Sequence, residues 1–489
     1  MLRENSQTMM SLSPYQGLYD IVVPKDNLLR KIKVNIDFSF VNPLLRKQYC
    51  ENFGRPAKEP EMMFKLLFLK KLYDLSDERL ISSAQTDMAY KYFLDLDPEA
   101  EMIDPSLLTK FRKTRITEDI LEEMLRETIR QAIEKGIIKS TAILVDSTHT
   151  NAAARPKTAT QVLRELSKQL RREIYREMMD ISEKFPEKPS ETAELADEIE
   201  YTYKLLESVK EEILKNGKSS LIELYERIKE LLDTDRIRKI RSKNDEDARF
   251  GHKKANSTFF GYKNHLAMTK ERIITGVEVT HGAEPDCKQL PALLVKSIKN
   301  GIQVKEIIGD MAYVSEDNLD TCEEKNVILF AKTNSAVVAA SVAPLDEGFC
   351  FNKDAGLLQC PAGDLAMRVS KKTARNGSIY RNYCFSKVKC RKCPQSNQCR
   401  IGKSKTKCYN VTQLQEKRRT RFEFEESDVF REQTKIRYRI EEKNGEMKVA
   451  HGLGRADSMG LTAMRLQTYF TAFVVNVKRI VKLTAPNPA

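Results

Sequence analysis

The sequence lacks any uninterrupted run of about eighteen apolar residues, the length that a membrane-spanning helix needs. Its first sixteen residues, MLRENSQTMMSLSPYQ, also lack the apolar core of a secretory signal peptide. We therefore expect an intracellular protein without a membrane partner. Its ten cysteines are then expected to be thiols or metal ligands, because disulfides persist mainly in oxidising compartments.

The chain is long and basic. Its 489 residues exceed what one ordinary hydrophobic core organises and suit roughly two to four domains. Hydrophobic residues make up 41% of the chain, enough for globular packing, and the formal net charge is +13. Such an excess of positive charge favours a polyanionic partner, with nucleic acid as the default. Basicity alone fits a merely soluble basic protein equally well.

Residues 1–125 have the pattern of a helical domain. Apolar residues recur at helical spacing in Glu61–Tyr73, and Ser76 begins a helix-capping sequence. A further short helix carries basic residues, among them Arg112 and Lys113. Several short helices with a basic last one are typical of a helix-turn-helix-like DNA-binding domain. An ordinary helical bundle with a solvated basic face fits the same pattern.

Two apolar segments end in an acidic residue. Ala142–Val145 precedes Asp146, and Val304–Gly309 precedes Asp310, so each aspartate is expected at the carboxyl end of a strand. Active sites of open α/β sheets gather at such strand ends. The two aspartates can meet only if their strands are neighbours in one sheet. Each aspartate alone also fits the simpler role of a turn former or helix cap.

Residues 157–244 interrupt this α/β pattern with a segment rich in Glu, Lys and Arg. Three apolar stripes at helical spacing predict a three-helix hairpin or short coiled coil, with an architectural or dimer-forming role. From residue 245 the pattern turns to β, and a helix is expected at Gln289–Lys299. The stripes are Leu163, Leu166, Leu170 and Ile174; Ile199, Tyr203, Leu206 and Ile213; Leu221, Leu224, Ile228 and Leu231.

A cysteine-rich insertion is expected at residues 336–415, since seven of the ten cysteines lie between Cys350 and Cys408. One close pair is separated by two residues, and flanking cysteines could complete the four thiolates of a closed structural zinc site. Reduced cysteines without a metal fit as well, and Cys350, Cys384 and Cys408 are spare candidates. The expected ligands are Cys360, Cys390, Cys393 and Cys399.

Carboxylates at two strand ends suit phosphodiester chemistry. Metal-dependent cleavage uses two cations about 3.5–4 Å apart, one activating the nucleophile and one stabilising the leaving oxygen. Hard oxygen ligands favour Mg²⁺. A third acid should then approach Asp146 and Asp310 from another element.

The late segment Arg437-x3-Glu441-x6-Lys448 supplies such an acid. Together with Asp310-x-Ala-Tyr313 and Val145-Asp146-Ser147-Thr148, it resembles the DDE transposases of bacterial insertion sequences. In the branch of the family that this chain resembles, the last sequence block reads Tyr-x2-Arg-x3-Glu-x6-Lys. Thr434 stands at the position of the tyrosine in that block. Glu442 and Glu446 are competing acids at the wrong spacing, and a salt-bridged surface helix is the alternative for the segment.

The resemblance implies a multidomain α and α/β protein with an RNase H-like, mixed-sheet catalytic core formed by residues 138–156, 245–335 and 416–489. Asp146 would lie on the first strand, Asp310 after the fourth, and Glu441 on a late helix. These three acids would hold two Mg²⁺ or Mn²⁺ ions. A structural Zn²⁺ would occupy the cysteine-rich insertion. DNA contacts are expected at Tyr313, Arg437, Lys448, Lys263, Arg112 and Lys113.

The implied activity is hydrolysis at the ends of an insertion sequence, which leaves 3′-hydroxyls that attack target DNA. The expected partners are double-stranded DNA, as terminal inverted repeats and as target, and a second copy of the chain. The expected location is the bacterial cytoplasm, in association with the nucleoid. Two alternatives are a catalytically inactive DNA-binding protein derived from a transposase and a metal-dependent nuclease without strand transfer.

Overall fold

The computed structural model describes residues 15–50, 56–178, 183–234, 236–254, 257–333, 349–352, 357–360, 362, 364–373, 379–393, 399, 407–412 and 420–485. The chain divides into a first unit of residues 1–306 and 438–489 and a second unit of residues 307–437. None of the helices in the described ranges combines the length and the apolarity that crossing a bilayer requires.

Helices fill the described part of the chain before the first strand. The predicted helix at Glu61–Tyr73 is confirmed as α4, and the Ser76 hydroxyl caps α5 by accepting a hydrogen bond from the Arg79 amide. The elements are α1 (Gln16–Val22), α2 (Leu28–Asn35), α3 (Val41–Arg46), α4 (Pro60–Leu72), α5 (Asp77–Thr86), α6 (Met88–Phe93), α7 (Ser106–Arg115) and α8 (Glu118–Glu134).

Strand β1 (Ala142–Asn151) is longer than the sequence predicts. The expectation that the strand ends at Asp146 is wrong, because the polar residues beyond it continue to pair with a neighbouring strand. Thr148 and Thr150 are buried there, and the Thr150 hydroxyl donates to the Leu453 carbonyl at 2.6 Å. Hydrogen-bonded threonines thus let a polar segment stay in the sheet, and Asp146 lies in the middle of β1.

The insertion forms three helices, α9 (Ala159–Glu177), α10 (Leu195–Asn216) and α11 (Ser219–Asp233), around a hydrophobic core of its own. All residues of the first and third predicted stripes are buried in that core. The second stripe is partly wrong, because Tyr203 is 38% exposed and Tyr201 and Leu205 take the buried face. Several neighbouring apolar residues of a helix can fit a helical stripe, and packing against the other helices decides which of them are buried.

The sheet of the first unit is centred on β3 (Ser257–Thr269), which pairs antiparallel with β1 along one edge. Its other edge pairs first with β2 (Arg249–Lys254) and then with β4 (Ile274–His281), also antiparallel. Helix α12 (Leu290–Lys299) follows, as predicted, after a 3₁₀ turn. The α and α/β character expected from the sequence is confirmed, and the RNase H-like topology stays a prediction.

The second unit contains short strands and helices. Strands β9, β10 and β11 form an antiparallel sheet, and β7 pairs with β8. The elements are β5 (Glu306–Ile308, whose first residue belongs to the first unit), α13 (Glu316–Glu324), β6 (Ile328–Phe330), β7 (Cys350–Asn352), β8 (Leu357–Gln359), β9 (Arg368–Thr373), β10 (Ile379–Cys384), α14 (Lys387–Lys392), β11 (Cys408–Thr412) and α15 (Asp428–Lys435).

A disulfide joins Cys384 to Cys408 in the second unit, contrary to the expectation of thiols or metal ligands. The two residues lie directly opposite each other on β10 and β11. Cross-strand register, which the spacing of the cysteines did not reveal, therefore brings this pair together.

Two helices close the first unit, α16 (Tyr438–Val449) and the long α17 (Leu461–Thr484). Helix α17 packs against α2, α4, α8 and β4. Its Phe473 ring is fully buried and lies edge-on to the rings of Phe38, Phe64 and Phe68, with centroids 5.4–6.1 Å apart. The N-terminal helices and the sheet therefore share the core that α17 fills.

Replacing Phe473 with alanine should lower the free energy of unfolding by about 3–5 kcal/mol, because a buried ring is lost and its cavity cannot fully close. Denaturant unfolding followed by circular dichroism measures the change. Val449→Ala, at a side chain that is 89% exposed, is the control. A Phe473→Ala shift no larger than that of the control would show that this aromatic cluster does not hold the unit together.

Candidate active site

Asp146 lies half-buried in the middle of β1, on the side covered by α16. The Asn444 side chain of α16 donates a hydrogen bond from Nδ2 to the Asp146 Oδ2 atom at 2.9 Å. The chain after α16 returns to the same strand, because the Asn151 amide donates to the Gly454 carbonyl at 3.1 Å. Side-chain and backbone contacts thus hold α16 against β1 at Asp146.

Glu441, Asn444 and Lys448 share one face of α16, since they stand three and four residues apart. Because Asn444 on this face bonds to Asp146, the face is directed toward β1. Burial and the charge of Lys253 lower the pKa of Lys448, whereas the Asp146 carboxylate raises it. Lys448 therefore lies within electrostatic range of Asp146.

The two competing acids of α16 are engaged in other ion pairs. Glu442 pairs with Arg272 at 2.9 Å. Glu446 pairs with the buried Lys443 at 2.7 Å and with Lys478 at 3.1 Å. Glu441 is exposed and stands three residues before Asn444 on α16, and its role as a metal ligand stays a prediction.

Asp310 belongs to the second unit, where it follows β5 after one glycine. It caps the 3₁₀ turn Met311–Tyr313, and its Oδ1 atom accepts a hydrogen bond from the Ala312 amide at 2.9 Å. The alternative role of Asp310 as a helix cap is therefore confirmed, and the capping hydrogen bond orients its carboxylate. Tyr313 is fully buried, with 0% of the residue exposed, so its expected DNA contact stays a prediction while its visible role is packing.

The spacing of Arg437, Glu441 and Lys448 predicts one continuous helical face. That prediction is wrong for Arg437, which does not lie on the same helix as the other two. Helix α15 ends at Lys435, and α16 begins at Tyr438. The Arg437 amide donates to the Thr434 carbonyl at 3.2 Å within the intervening turn. A break between two helices separates the arginine from the rest of the motif.

Two of the basic residues expected at DNA are held by acids of the chain. Arg112 donates from both terminal nitrogens to Asp77, at 2.9 and 2.5 Å. Burial alone would raise the pKa of Asp77, but hydrogen bonds from Arg112 and Lys70 lower it to about 2. Lys263 pairs with Asp286 at 2.8 Å. Lys113 is exposed, and DNA contacts by these side chains stay predictions.

A polar cluster that the sequence reading missed lies on the opposite side of β1 from Asp146. The Ser147 hydroxyl donates to Asp286 Oδ2 at 2.9 Å, and the fully buried His265 places Nδ1 3.8 Å from Asp286 Oδ1. Burial lowers the pKa of His265 to about 4, which leaves the ring neutral at pH 7. The pairing of β1 with β3 and of β3 with β4 brings Ser147 and His265 together with Asp286, which follows β4.

His149 and Lys253 were also missed, and both lie within electrostatic range of Lys448. The His149 ring packs at a tilt of 38° against Phe259, with centroids 4.9 Å apart. Burial, followed by the charges of Lys448 and Lys253, lowers the pKa of His149 to about 4. The ring is therefore neutral at pH 7, and the lysine within electrostatic range of Asp146 is Lys448.

Three of the four expected zinc ligands pack on one small core, formed by Phe349, Leu358, Ala366, Tyr383 and Phe385. These three are Cys360, Cys390 and Cys399. Lys389 of α14 pairs with Asp364 at 2.6 Å, and the Cys360 amide donates to the Asp364 carbonyl at 2.9 Å. These contacts bring the turn after β8 next to the helix that carries Cys390.

The fourth cysteine, Cys393, directly follows α14. Burial raises the pKa of the Cys399 thiol, Lys407 lowers it, and charges on Cys360, Cys390 and Cys393 raise it further. Cys360, Cys390 and Cys393 thus each lie within electrostatic range of Cys399. In the described part of the chain, no three His, Cys, Asp or Glu side chains are arranged closely enough to hold a metal ion as they stand.

Two family models match the chain. Residues 18–114, which span α1 to α7, match a transposase domain (DUF772). Residues 359–481, which include the four cysteines, Glu441, Asn444 and Lys448, match a transposase DDE domain. A search of curated proteins gave no significant match. The two domain matches, one toward each end of the chain, support a DDE transposase of an insertion sequence.

Proposed function

We propose that this transposase cuts DNA at the ends of its insertion sequence and joins those ends to target DNA. The observation that carries the proposal is the packing of α16 on β1. That packing brings Asn444 to Asp146, and Glu441 and Lys448 stand three residues before and four residues after Asn444 on the same helix. From the three sequence blocks, Asp146, Asp310 and Glu441 are the proposed metal ligands.

Divalent metal fits the chemistry of these donors, since carboxylate oxygens are the ligands that Mg²⁺ and Mn²⁺ prefer. Bound ions would supply activation of the attacking oxygen and stabilisation of the leaving oxygen. Asn444 orients one Asp146 oxygen, and the capping contact with Ala312 orients Asp310. Lys448 lies within electrostatic range of Asp146, and Lys253 within range of Lys448, so that both lysines can neutralise DNA phosphates.

Two reactions use the same residues in this proposal. In the first, water attacks a phosphorus at the element end and the bond to the 3′ oxygen breaks, which leaves a 3′-hydroxyl and a 5′-phosphate. In the second, that 3′-hydroxyl attacks a target phosphorus and displaces a target 3′ oxygen. The nucleophile is never a protein side chain, so no covalent protein–DNA intermediate forms.

Transposition joins both ends of the element to target DNA, which requires that one complex holds both ends. We therefore expect a homodimer on DNA that carries the terminal inverted repeats. The three-helix insertion of α9, α10 and α11, with its separate core, is a candidate for the dimer contact. A catalytically inactive DNA-binding derivative and a nuclease without strand transfer are the alternatives, and assays of nicking and of joining separate them.

Asp146→Asn should abolish Mg²⁺-dependent nicking and joining, because the amide removes the negative charge offered to the metal. Incubation with end-labelled DNA that carries the element's inverted repeats measures both products. Nicking by Asp146→Asn at the wild-type rate contradicts the catalytic assignment. Wild-type nicking with no joined product supports the nuclease alternative.

Glu442 and Glu446 lie on the same helix as Glu441 and provide matched controls for it. Glu441→Gln should reduce nicking to background, whereas Glu442→Gln and Glu446→Gln should keep measurable activity because they remove structural ion pairs only. The same labelled-DNA assay compares the three proteins. Loss of activity in Glu442→Gln, with Glu441→Gln active, would move the catalytic role to Glu442.

The cysteine cluster is proposed to hold one structural Zn²⁺ per chain through Cys360, Cys390, Cys393 and Cys399. Changing any one of these cysteines to serine should lower the zinc content, because a closed site needs four thiolates. Elemental analysis of protein purified under reducing conditions measures it. Cys50→Ser, at an exposed thiol, is the control. Wild-type protein without zinc contradicts the assignment.

A further inference from the structure

The side-chain amide of Asn444 uses its nitrogen in a hydrogen bond but not its oxygen. The residue is 7% exposed, and its Nδ2 atom donates to Asp146 Oδ2 at 2.9 Å. An ionised carboxylate only accepts hydrogen bonds, so the NH₂ group must face Asp146. The Oδ1 atom is therefore turned away from Asp146.

This Oδ1 atom is buried, and within the described residues it accepts no hydrogen bond. Other buried asparagines of the same unit are satisfied at both ends. Asn476 accepts from the Ile274 amide at 2.7 Å and donates to the Ile274 carbonyl at 2.9 Å. Asn264 donates to Thr150 at 2.8 Å and accepts from Thr468 at 2.7 Å. A buried, unpaired amide oxygen is unfavourable, and a bound ion or water is one way to satisfy it.

The position of Asn444 indicates the chemistry of that donor. Its NH₂ group bonds to the first proposed metal ligand, and Glu441 lies one turn earlier on the same helix face. A Mg²⁺ ion held by carboxylates keeps several of its water molecules, and each of these is a hydrogen-bond donor. Residues that hydrogen-bond to metal ligands commonly set ligand orientation and metal affinity.

We propose that Asn444 is a positioning residue of the metal site, with two separate contacts. Its Nδ2 group fixes the direction of the Asp146 carboxylate, and its Oδ1 atom accepts a hydrogen bond from a metal-bound water. The inference rests on the proposed function, since it requires that Asp146 binds metal. It adds a residue that is not one of the defining acids or cations of the three sequence blocks, although it stands within the third block between Glu441 and Lys448.

Binding of Mn²⁺ to the purified full-length protein tests the inference without requiring activity. The paramagnetic resonance signal of free Mn²⁺ gives the dissociation constant. Asn444→Ala should weaken binding roughly 10- to 100-fold, the usual effect of losing a partner of a metal ligand. Asn444→Leu, which fills the space of the amide, should weaken binding to the same extent while the melting temperature of the metal-free protein stays close to wild type.

Asn476→Ala is the matched control, because it removes a buried asparagine whose bonds are purely structural. It should lower the melting temperature and leave the Mn²⁺ dissociation constant unchanged. The Mg²⁺ concentration for half-maximal nicking should rise for the Asn444 variants and stay constant for Asn476→Ala.

The outcomes separate the inference from the proposed function. Suppose that both Asn444 variants bind Mn²⁺ as tightly as the wild type, while Asp146→Ala does not bind it. That result overturns the role of Asn444 and leaves the proposed function standing. Equal Mn²⁺ binding by wild type and Asp146→Ala overturns the metal site itself, and the inference fails with it. Weaker binding in both Asn444 variants, with Asn476→Ala unaffected, supports the inference.

Discussion

Nine consecutive residue pairs join β1 to β3 in antiparallel register, from Ile143 opposite Thr269 to Asn151 opposite Gly261. The candidate site depends on this pairing, because alternation along a strand assigns each side chain to one face of the sheet. Asp146 is thereby directed to the side of α16, and Ser147 to the Asp286 cluster. A shift of the register by one residue would exchange the two faces and separate Asp146 from Asn444.

Ion pairs and one buried histidine hold α16 in place over β1. The His451 Nδ1 atom lies 2.9 Å from the Lys71 carbonyl of α4, and its Nε2 atom lies 3.1 Å from the Lys478 amine. An amine donates to Nε2, so Nδ1 carries the ring proton and the histidine is neutral. Lys478 also pairs with Glu446 of α16. The N-terminal helices therefore take part in positioning the helix that carries Glu441.

Local patterns predicted much of the secondary structure. Apolar spacing located α4 and the first and third helices of the insertion, and the capping sequence located α5. The predictions failed where long-range contacts decide. Strand β1 continues past Asp146 because Thr148 and Thr150 are buried against distant partners. The helix expected through Arg437 is broken, and Cys384 pairs with Cys408 through strand register.

The sequence by itself determined which chemistry is available: acids in three blocks, a basic surplus, a cysteine cluster and the spacing of Glu441 to Lys448. The tertiary structure alone decided which groups meet. Asn444 and Asp146 are 298 positions apart, and no local pattern predicts their hydrogen bond. Glu442 and Glu446 are paired with Arg272 and Lys478, contacts that the sequence could not show because an ion pair forms only after folding brings distant charges together.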